Sequence, residues 1–190
     1  MSVAAVPLQQ QQMRLMMGLF VVSEAIFFAV LIMAFLVYHG EIEPTASNVL
    51  SMERAGFATG VVLLSSATVE WMRRAFALGA TRAFRTALLA SIALGAGFIA
   101  IEVAELGGLL AMGYDPNSGF FGTTFTTLTG FHLLHVVFAW LAFGVLLIGS
   151  TLGKLRQAHT PAVEAVAVLW QFVNVVWVVI LFVVYLGVVI

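Results

Sequence analysis

The sequence contains no cysteine, and this absence excludes several functions at once. Without thiols, the chain cannot form disulfide bonds, iron–sulfur clusters, thiolate zinc sites or a thiolate-bridged copper centre. Charge is also scarce: 8 basic and 9 acidic residues make up 9% of the 190 residues, against about 25% in a soluble domain. So few charges cannot cover a water-facing surface, and a net charge of −1 gives no footprint for nucleic acid. With 62% hydrophobic residues, the chain is predicted to be a single membrane domain over residues 1–190.

Five apolar segments are long enough to cross a bilayer, which takes about 20 helical residues. Because these segments are continuous rather than alternating, they favour helices over a β-barrel. Seven of the eight basic residues fall on one side when five spans are counted, and only Arg54 falls on the other. Positive charge marks the cytoplasmic side. The predicted fold class is therefore an all-α integral membrane protein, a five-transmembrane-helix bundle with its N-terminus in the cytoplasm and its C-terminus outside. The predicted helices cover about residues 15–38, 57–75, 84–110, 121–149 and 163–189.

Carboxyl groups at membrane depth are costly, so each of them needs a partner, a neutral state or a function. Glu24 lies well inside the first predicted span, beside several phenylalanines. It is either a proton-handling group or polar anchor in a lipid cleft, or a protonated acid bonded to a neighbouring helix. Glu102 and Glu105 share a face of the third helix, and His132 and His135 share a face of the fourth. Since these helices are joined by a short outer loop, an inter-helix polar cluster is predicted, with either a structural or a functional role.

Too few histidines are present, and they are too scattered, for a redox centre. Apart from His132 and His135 on one helix, the chain has only His39 and His159, in or beside the loops. A haem with two axial ligands needs histidines on facing helices, and a copper centre needs several more ligands. We therefore predict no metal site and no catalytic residue in this chain. The last helix adds polar and aromatic residues whose amides can bond across helices without carrying charge: Trp170, Gln171, Asn174 and Trp177.

Four segments with distinctive polar and aromatic patterns follow one another along the chain: residues 20–28 around Glu24, residues 95–105, residues 130–136 and residues 170–177. The third segment reads Gly-Phe-His-Leu-Leu-His-Val and resembles the Gly-Phe-His-x-x-His-Val signature of subunit III of the haem–copper respiratory oxidases. The first is similar to the segment with that family's membrane glutamate, and the others to its third polar stripe and its last helix. Together they resemble the cytochrome c oxidase subunit 3 type over essentially the whole chain.

The resemblance implies the short five-helix bacterial form, because animal-type members carry seven helices. It places Glu24 where the family has a glutamate that faces a lipid-filled cleft near the proton-uptake entrance of the catalytic subunit. It places Glu105, His132 and His135 in the family's polar cluster. The implied function is that of a non-catalytic subunit of a terminal oxidase in aerobic respiratory electron transport, in the bacterial inner membrane. The oxidase and proton-translocating activity would belong to the complex.

The same resemblance implies partners and cofactors. The chain would pack mainly against oxidase subunit I, with subunit II and other respiratory subunits in the same complex, and would bind structural phospholipid and support proton uptake and stability. No cofactor is expected on this chain, since haem and copper would lie on the partner subunits. The family usually has histidine and aspartate where this chain has Gln171 and Asn174, and glutamine where it has Glu102. Any interaction that requires ionised groups at the first two positions is therefore in doubt.

Other functions stay open at this point. The five-helix form also occurs in quinol oxidases and in an accessory subunit of nitric oxide reductase, and the sequence does not separate these from a cytochrome c oxidase. A scaffolding protein that leaves the mature complex is a further alternative. A small proton-coupled transporter is less favoured, because such proteins usually show internal repeats and broken helices. The chain shows no repeat, and none of its four prolines lies inside a predicted span.

Overall fold

The computed structural model describes residues 8–38, 51–114, 117, 119–156 and 159–186. Within these ranges the chain is helical, without strands, and five helices are long and apolar enough to cross a membrane. The predicted all-α five-helix fold class is thus confirmed, whereas its orientation stays a prediction. Residues 187–189 of the predicted last span, and His39, lie outside the described residues. The helices are α1 (Leu8–Tyr38), α2 (Met52–Ala77), α3 (Thr81–Ala111), α4 (Phe120–Thr151) and α5 (Thr160–Ile180), which continues as a π-helical segment over Leu181–Leu186.

The helices extend beyond the apolar segments because local backbone chemistry, rather than hydropathy, sets their ends. α1 begins at Leu8, in a run of glutamines that are good helix formers. A proline in the first turn of α5 fits the start of a helix, where its missing N–H costs nothing. α2 and α4 are followed by Gly79 and Gly153, at φ 68° and 66°. Glycine adopts this left-handed conformation without strain, so the α2–α3 and α4–α5 connections can both turn back sharply at the same end of the bundle.

The five helices form a bundle in which α1 is the most peripheral. α2 packs against α3, α3 against α4, and α5 against both α2 and α4, whereas α1 packs mainly against α4 and α5. Large aromatic side chains fill the centre and are essentially inaccessible, among them Phe98, Phe143, Trp170 and Trp177. The outer face of α1 stays apolar and exposed, as expected for a helix that faces lipid or another subunit.

Candidate functional site

The structure joins Glu24 on α1 to His135 on α4. The Nε2 atom of His135 lies 2.9 Å from Oε2 of Glu24, and the two side chains are 17% and 21% exposed. On its other side, His135 Nδ1 lies 2.7 Å from the carbonyl oxygen of Phe131, one turn earlier in α4. The rings of Phe27 and Phe28 pack around the imidazole, with centroids 6.2 and 5.1 Å away. The result is a polar pair in an apolar surround, at the junction between α1 and the rest of the bundle.

If both contacts are hydrogen bonds, their partners determine how many protons the pair carries. A carbonyl oxygen can only accept, so Nδ1 of His135 must carry a hydrogen and donate it to Phe131. The contact between Nε2 and the Glu24 carboxyl group then needs one more proton between them. That proton sits either on the carboxyl group, leaving both residues neutral, or on the imidazole, giving a carboxylate beside an imidazolium. Either way the pair has no net charge, which suits a site at membrane depth.

His132 belongs to the aromatic core rather than to this pair. Its side chain is fully buried and stacks on Trp177, with ring centroids 5.8 Å apart and an angle of 25°. Phe28 and Phe98 meet it edge-on at 6.3 and 6.1 Å. Neither ring nitrogen forms a hydrogen bond with any part of the chain that the structure describes. His132 therefore contributes to the core through ring packing rather than hydrogen bonding, although it belongs to the same sequence motif as His135.

Glu102 and Glu105 lie on the buried face of α3, each 5% exposed. Oε1 of Glu102 has no hydrogen-bond partner within the described ranges. A buried carboxyl oxygen without a hydrogen-bond partner is energetically costly in an apolar interior. Of the two histidines predicted to join these acids in a cluster, His135 contacts Glu24 on α1, and His132 packs among aromatic rings. The cluster itself stays a prediction.

The predicted residues of the last helix all bond to α2. Trp170 Nε1 donates to Ser65 Oγ at 3.0 Å, and Gln171 Nε2 donates to the Ser66 carbonyl at 3.1 Å. Asn174 Nδ2 donates to Ser66 Oγ at 2.7 Å. One turn further on, Trp177 Nε1 lies 3.1 Å from the hydroxyl oxygen of Thr59 and donates to it. These uncharged bonds fasten α5 to α2 over several turns, apart from the pair formed by Glu24.

Two features of this interface were missed by reasoning from the sequence. The hydroxyl partners on α2, Ser65 and Ser66, were not singled out, although small hydroxyl residues inside a span are typical of helix contacts. The second feature is Glu164, whose Oε1 lies 3.2 Å from Nη1 of Arg73. Arg73 also binds Glu70, at 2.8 Å, within α2. Since the sequence places Glu164 well away from Arg73, only the fold shows that α2 and α5 are linked by charge here.

We tested whether the described residues could hold a metal ion or haem. In this part of the chain, no three residues of the histidine, cysteine, aspartate or glutamate types come together as a metal-binding group. His132 is enclosed by aromatic rings, and both ring nitrogens of His135 are engaged in hydrogen bonds. In this arrangement neither of these two histidines offers an accessible, unengaged ring nitrogen to a metal ion or a haem iron. That this chain carries no cofactor stays a prediction.

These features define a class: a multi-pass, all-helical membrane protein with a hydrogen-bonded carboxyl–imidazole pair and a polar helix interface. The sequence profile of cytochrome c oxidase subunit III matches residues 4–188. Similar proteins include cytochrome c oxidase subunit 3 of Mus musculus, 31% identical over 90% of this chain and 68% of the relative. The protein of the same name in Scyliorhinus canicula is 34% identical over 90% and 68%, and that of Papio hamadryas 30% over 88% and 67%.

The chain belongs to the cytochrome c oxidase subunit III family. It is thus a multi-pass membrane subunit of the haem–copper oxidase type, which works in aerobic respiratory electron transport as part of a complex with other oxidase subunits. The resemblance predicted from four short segments is confirmed over almost the whole sequence.

Proposed function

We propose that the chain is a non-catalytic subunit III that sustains proton uptake by the catalytic subunit of a cytochrome c oxidase and prolongs its working life. It would lie in a bacterial inner membrane, with subunit I as its main contact and subunit II in the same complex. Haem and copper would be held by those partners and none by this chain. The observation that carries the proposal is the hydrogen bond between Glu24 and His135.

The geometry of this pair suits a group that takes part in proton transfer near a protein surface. One proton is shared over a single 2.9 Å contact, so moving it from the carboxyl group to the imidazole leaves the net charge of the pair at zero. Both side chains are about one fifth exposed, so they are accessible from the outside of the bundle. An intramembrane carboxyl group with such access is by default a candidate functional site.

Phospholipid binding is the second part of the proposal, and a cavity of about 550 Å³ between α1 and α5 supports it. Apolar residues form most of its wall, including Met17, Val21 and Val168, with Arg14 and Glu164 towards one end. A wall of this kind suits an acyl chain, and a guanidinium group beside it suits a headgroup phosphate. Val21 lies one turn of α1 from Glu24, so a lipid held here would border the proton-bearing pair.

Variants of Glu24 test the functional role of the pair. Glu24→Ala removes the hydrogen bond, whereas Glu24→Gln can keep one, because an amide N–H can donate to Nε2 of His135. We expect both variants to leave the haem spectra of the oxidase unchanged and to shorten its turnover lifetime, since neither side chain can exchange the proton. The neighbouring exposed Ser23 provides the control: Ser23→Ala should decay like the wild type.

The two substitutions also separate a structural role from a protonic one. If Glu24→Gln behaves like the wild type and only Glu24→Ala decays faster, the bond matters and the proton does not. Unchanged decay in Glu24→Ala would contradict the proposed role altogether. Purification of the tagged chain in mild detergent tests the rest: haem and copper spectra should accompany the complex and disappear from the chain stripped of its partners.

A further inference from the structure

A second cavity, of about 400 Å³, lies at the end of the bundle where the α2–α3 and α4–α5 connections meet. We call this the basic end. The cavity is bounded by the last turn of α2, the first turn of α3, the last turn of α4 and residues 153–156. The described residues that line it are all different from those that line the cavity between α1 and α5. Its apolar wall includes Phe76 and Phe84, whose ring centroids are 5.1 Å apart, and Leu155. Its polar wall is formed by Arg85, Ser150, Arg156 and Thr81.

Arg85 is held in place on this wall. Its Nε donates to Ser150 Oγ at 2.9 Å, and its Nη2 donates to the carbonyl oxygen of the same residue, at the end of α4. A guanidinium group has five N–H donors, and these two bonds use two of them. The remaining donors have no acceptor among the residues that the structure describes, and the side chain is half-buried. A guanidinium group with unused donors and a fixed orientation is well suited to bind a planar or tetrahedral oxyanion.

The charge around the cavity is unbalanced. Arg85 and Arg156 line it, and Arg82 and Lys154 are sequence neighbours of lining residues. None of these four forms an ion pair with a carboxylate in the described part of the chain. The two carboxylates at this end, Glu70 and Glu164, are both engaged by arginines of α2. Among the described residues that line the cavity, none is acidic. In addition, α3 starts here without a side-chain cap, so its first N–H groups and its helix dipole add positive potential.

We propose that this cavity binds a phosphate group, with Arg85 and Arg156 as its ligands. Two sources have the required chemistry: the phosphodiester headgroup of an anionic phospholipid, and a free phosphate or phosphomonoester from the aqueous side. The apolar wall beside the arginines would accommodate the glycerol and upper acyl carbons of a lipid. The inference is independent of the role of Glu24, which lies on another helix, and of the cavity between α1 and α5.

Two variants test the site without breaking the contacts that support the fold. Arg156→Gln removes a cavity charge whose side chain makes no hydrogen bond within the described ranges. Thr81→Glu places a carboxylate in the first turn of α3, where acids stabilise helices, so a loss of binding cannot be ascribed to unfolding. Arg54→Gln, an exposed substitution at the start of α2 and the opposite end of the bundle, is the matched charge control.

The complete oxidase complex is purified with each variant and tested with two probes. The first probe is lipid: after incubation with vesicles of phosphatidylglycerol and phosphatidylcholine, native mass spectrometry counts the phosphatidylglycerol molecules that the complex retains. The second probe is inorganic phosphate: its affinity is measured from the rise in unfolding temperature as phosphate replaces chloride at equal ionic strength. We expect Arg156→Gln and Thr81→Glu each to lower the affinity for at least one probe about tenfold, the effect of losing one charge-assisted hydrogen bond. Arg54→Gln should match the wild type.

The pattern of results identifies the source. An effect on phosphatidylglycerol alone assigns the cavity to a lipid headgroup, and a saturable effect with inorganic phosphate assigns it to a soluble phosphate. Equal affinity of the wild type and both cavity variants for both probes would overturn the proposal. Loss of binding in these variants with unchanged turnover lifetime would leave the proposed role of Glu24 untouched, so the two ideas fail separately.

Discussion

Gly95 on α3 is a position where one added methyl group should lower the stability of the fold. A Cβ atom built there would lie 2.8 Å from Cδ1 of Trp140 and 2.8 Å from Cη2 of Trp170. Neither ring can simply move away. Trp140 donates from Nε1 to the carbonyl of Ile92 at 2.9 Å, and Trp170 donates to Ser65 at 3.0 Å. The close approach of α3, α4 and α5 therefore depends on this glycine.

The cost of Gly95→Ala follows from these contacts. Overpacking of a filled core typically costs about 1–3 kcal/mol, and a hydrogen bond stretched by a displaced indole adds about 1 kcal/mol. The better helix propensity of alanine stabilises the folded state by about 0.5–1 kcal/mol and offsets part of this cost. The free energy of unfolding should thus fall by roughly 1–3 kcal/mol. Gly97 provides a control on the same helix, because a Cβ there meets nothing within 4 Å, and Gly97→Ala should be neutral or slightly stabilising.

The assay is detergent-induced unfolding of the purified subunit, followed by tryptophan fluorescence, which reports directly on Trp140 and Trp170. A gap of about 2–4 kcal/mol between Gly95→Ala and Gly97→Ala is expected when the propensity gain of the control is included. Equal stability of the two variants would refute the reasoning, because both have the same helix propensity and differ only in what the new methyl group meets.

Three further substitutions test the polar contacts. Asn174→Leu removes the bond to Ser66 and should cost about 1 kcal/mol of unfolding free energy in the same assay; no change would mean that the bond contributes nothing. His132→Phe should keep the stability of the wild type, since the ring only packs, whereas His132→Ala should lose about 3–5 kcal/mol to a cavity; a costly phenylalanine would reveal a missed polar role. Arg73→Gln breaks the partly exposed ion pairs of Arg73 with Glu164 and Glu70. It should lower the free energy of unfolding by at most about 1 kcal/mol per pair, measured by thermal unfolding with and without 0.5 M salt; a larger loss would indicate buried pairs.

Much of the architecture could be predicted from the sequence because membranes constrain it strongly. Continuous apolar segments have to be helices, and their number followed directly from length. Glu24 and the amides of the last helix could also be selected in advance, since polar groups at membrane depth are rare and need partners. What periodicity cannot provide is which helix each partner lies on.

The histidine motif shows why the pairing was not predictable. His132 and His135 are three residues apart and share a helix face, so sequence spacing treats them as equivalent. In the fold, the ring of His132 lies against Trp177 on α5, whereas the ring of His135 lies against Glu24 on α1. The difference depends on where α1 packs, and α1 makes the fewest contacts in the bundle. The sequence of this peripheral helix therefore does not indicate which residues of its neighbours it contacts.

The neutral amides of α5 resolve a question that the family resemblance raised. Where the family usually has histidine and aspartate, Gln171 and Asn174 bind the Ser66 carbonyl and hydroxyl, with distances of 3.1 and 2.7 Å. An amide N–H needs no proton uptake or loss to make such bonds, so this interface should hold α5 on α2 at any working pH. The two amides thus place uncharged hydrogen bonds within the α2–α5 interface, and its charged pair, Arg73 and Glu164, lies nearer the start of α5.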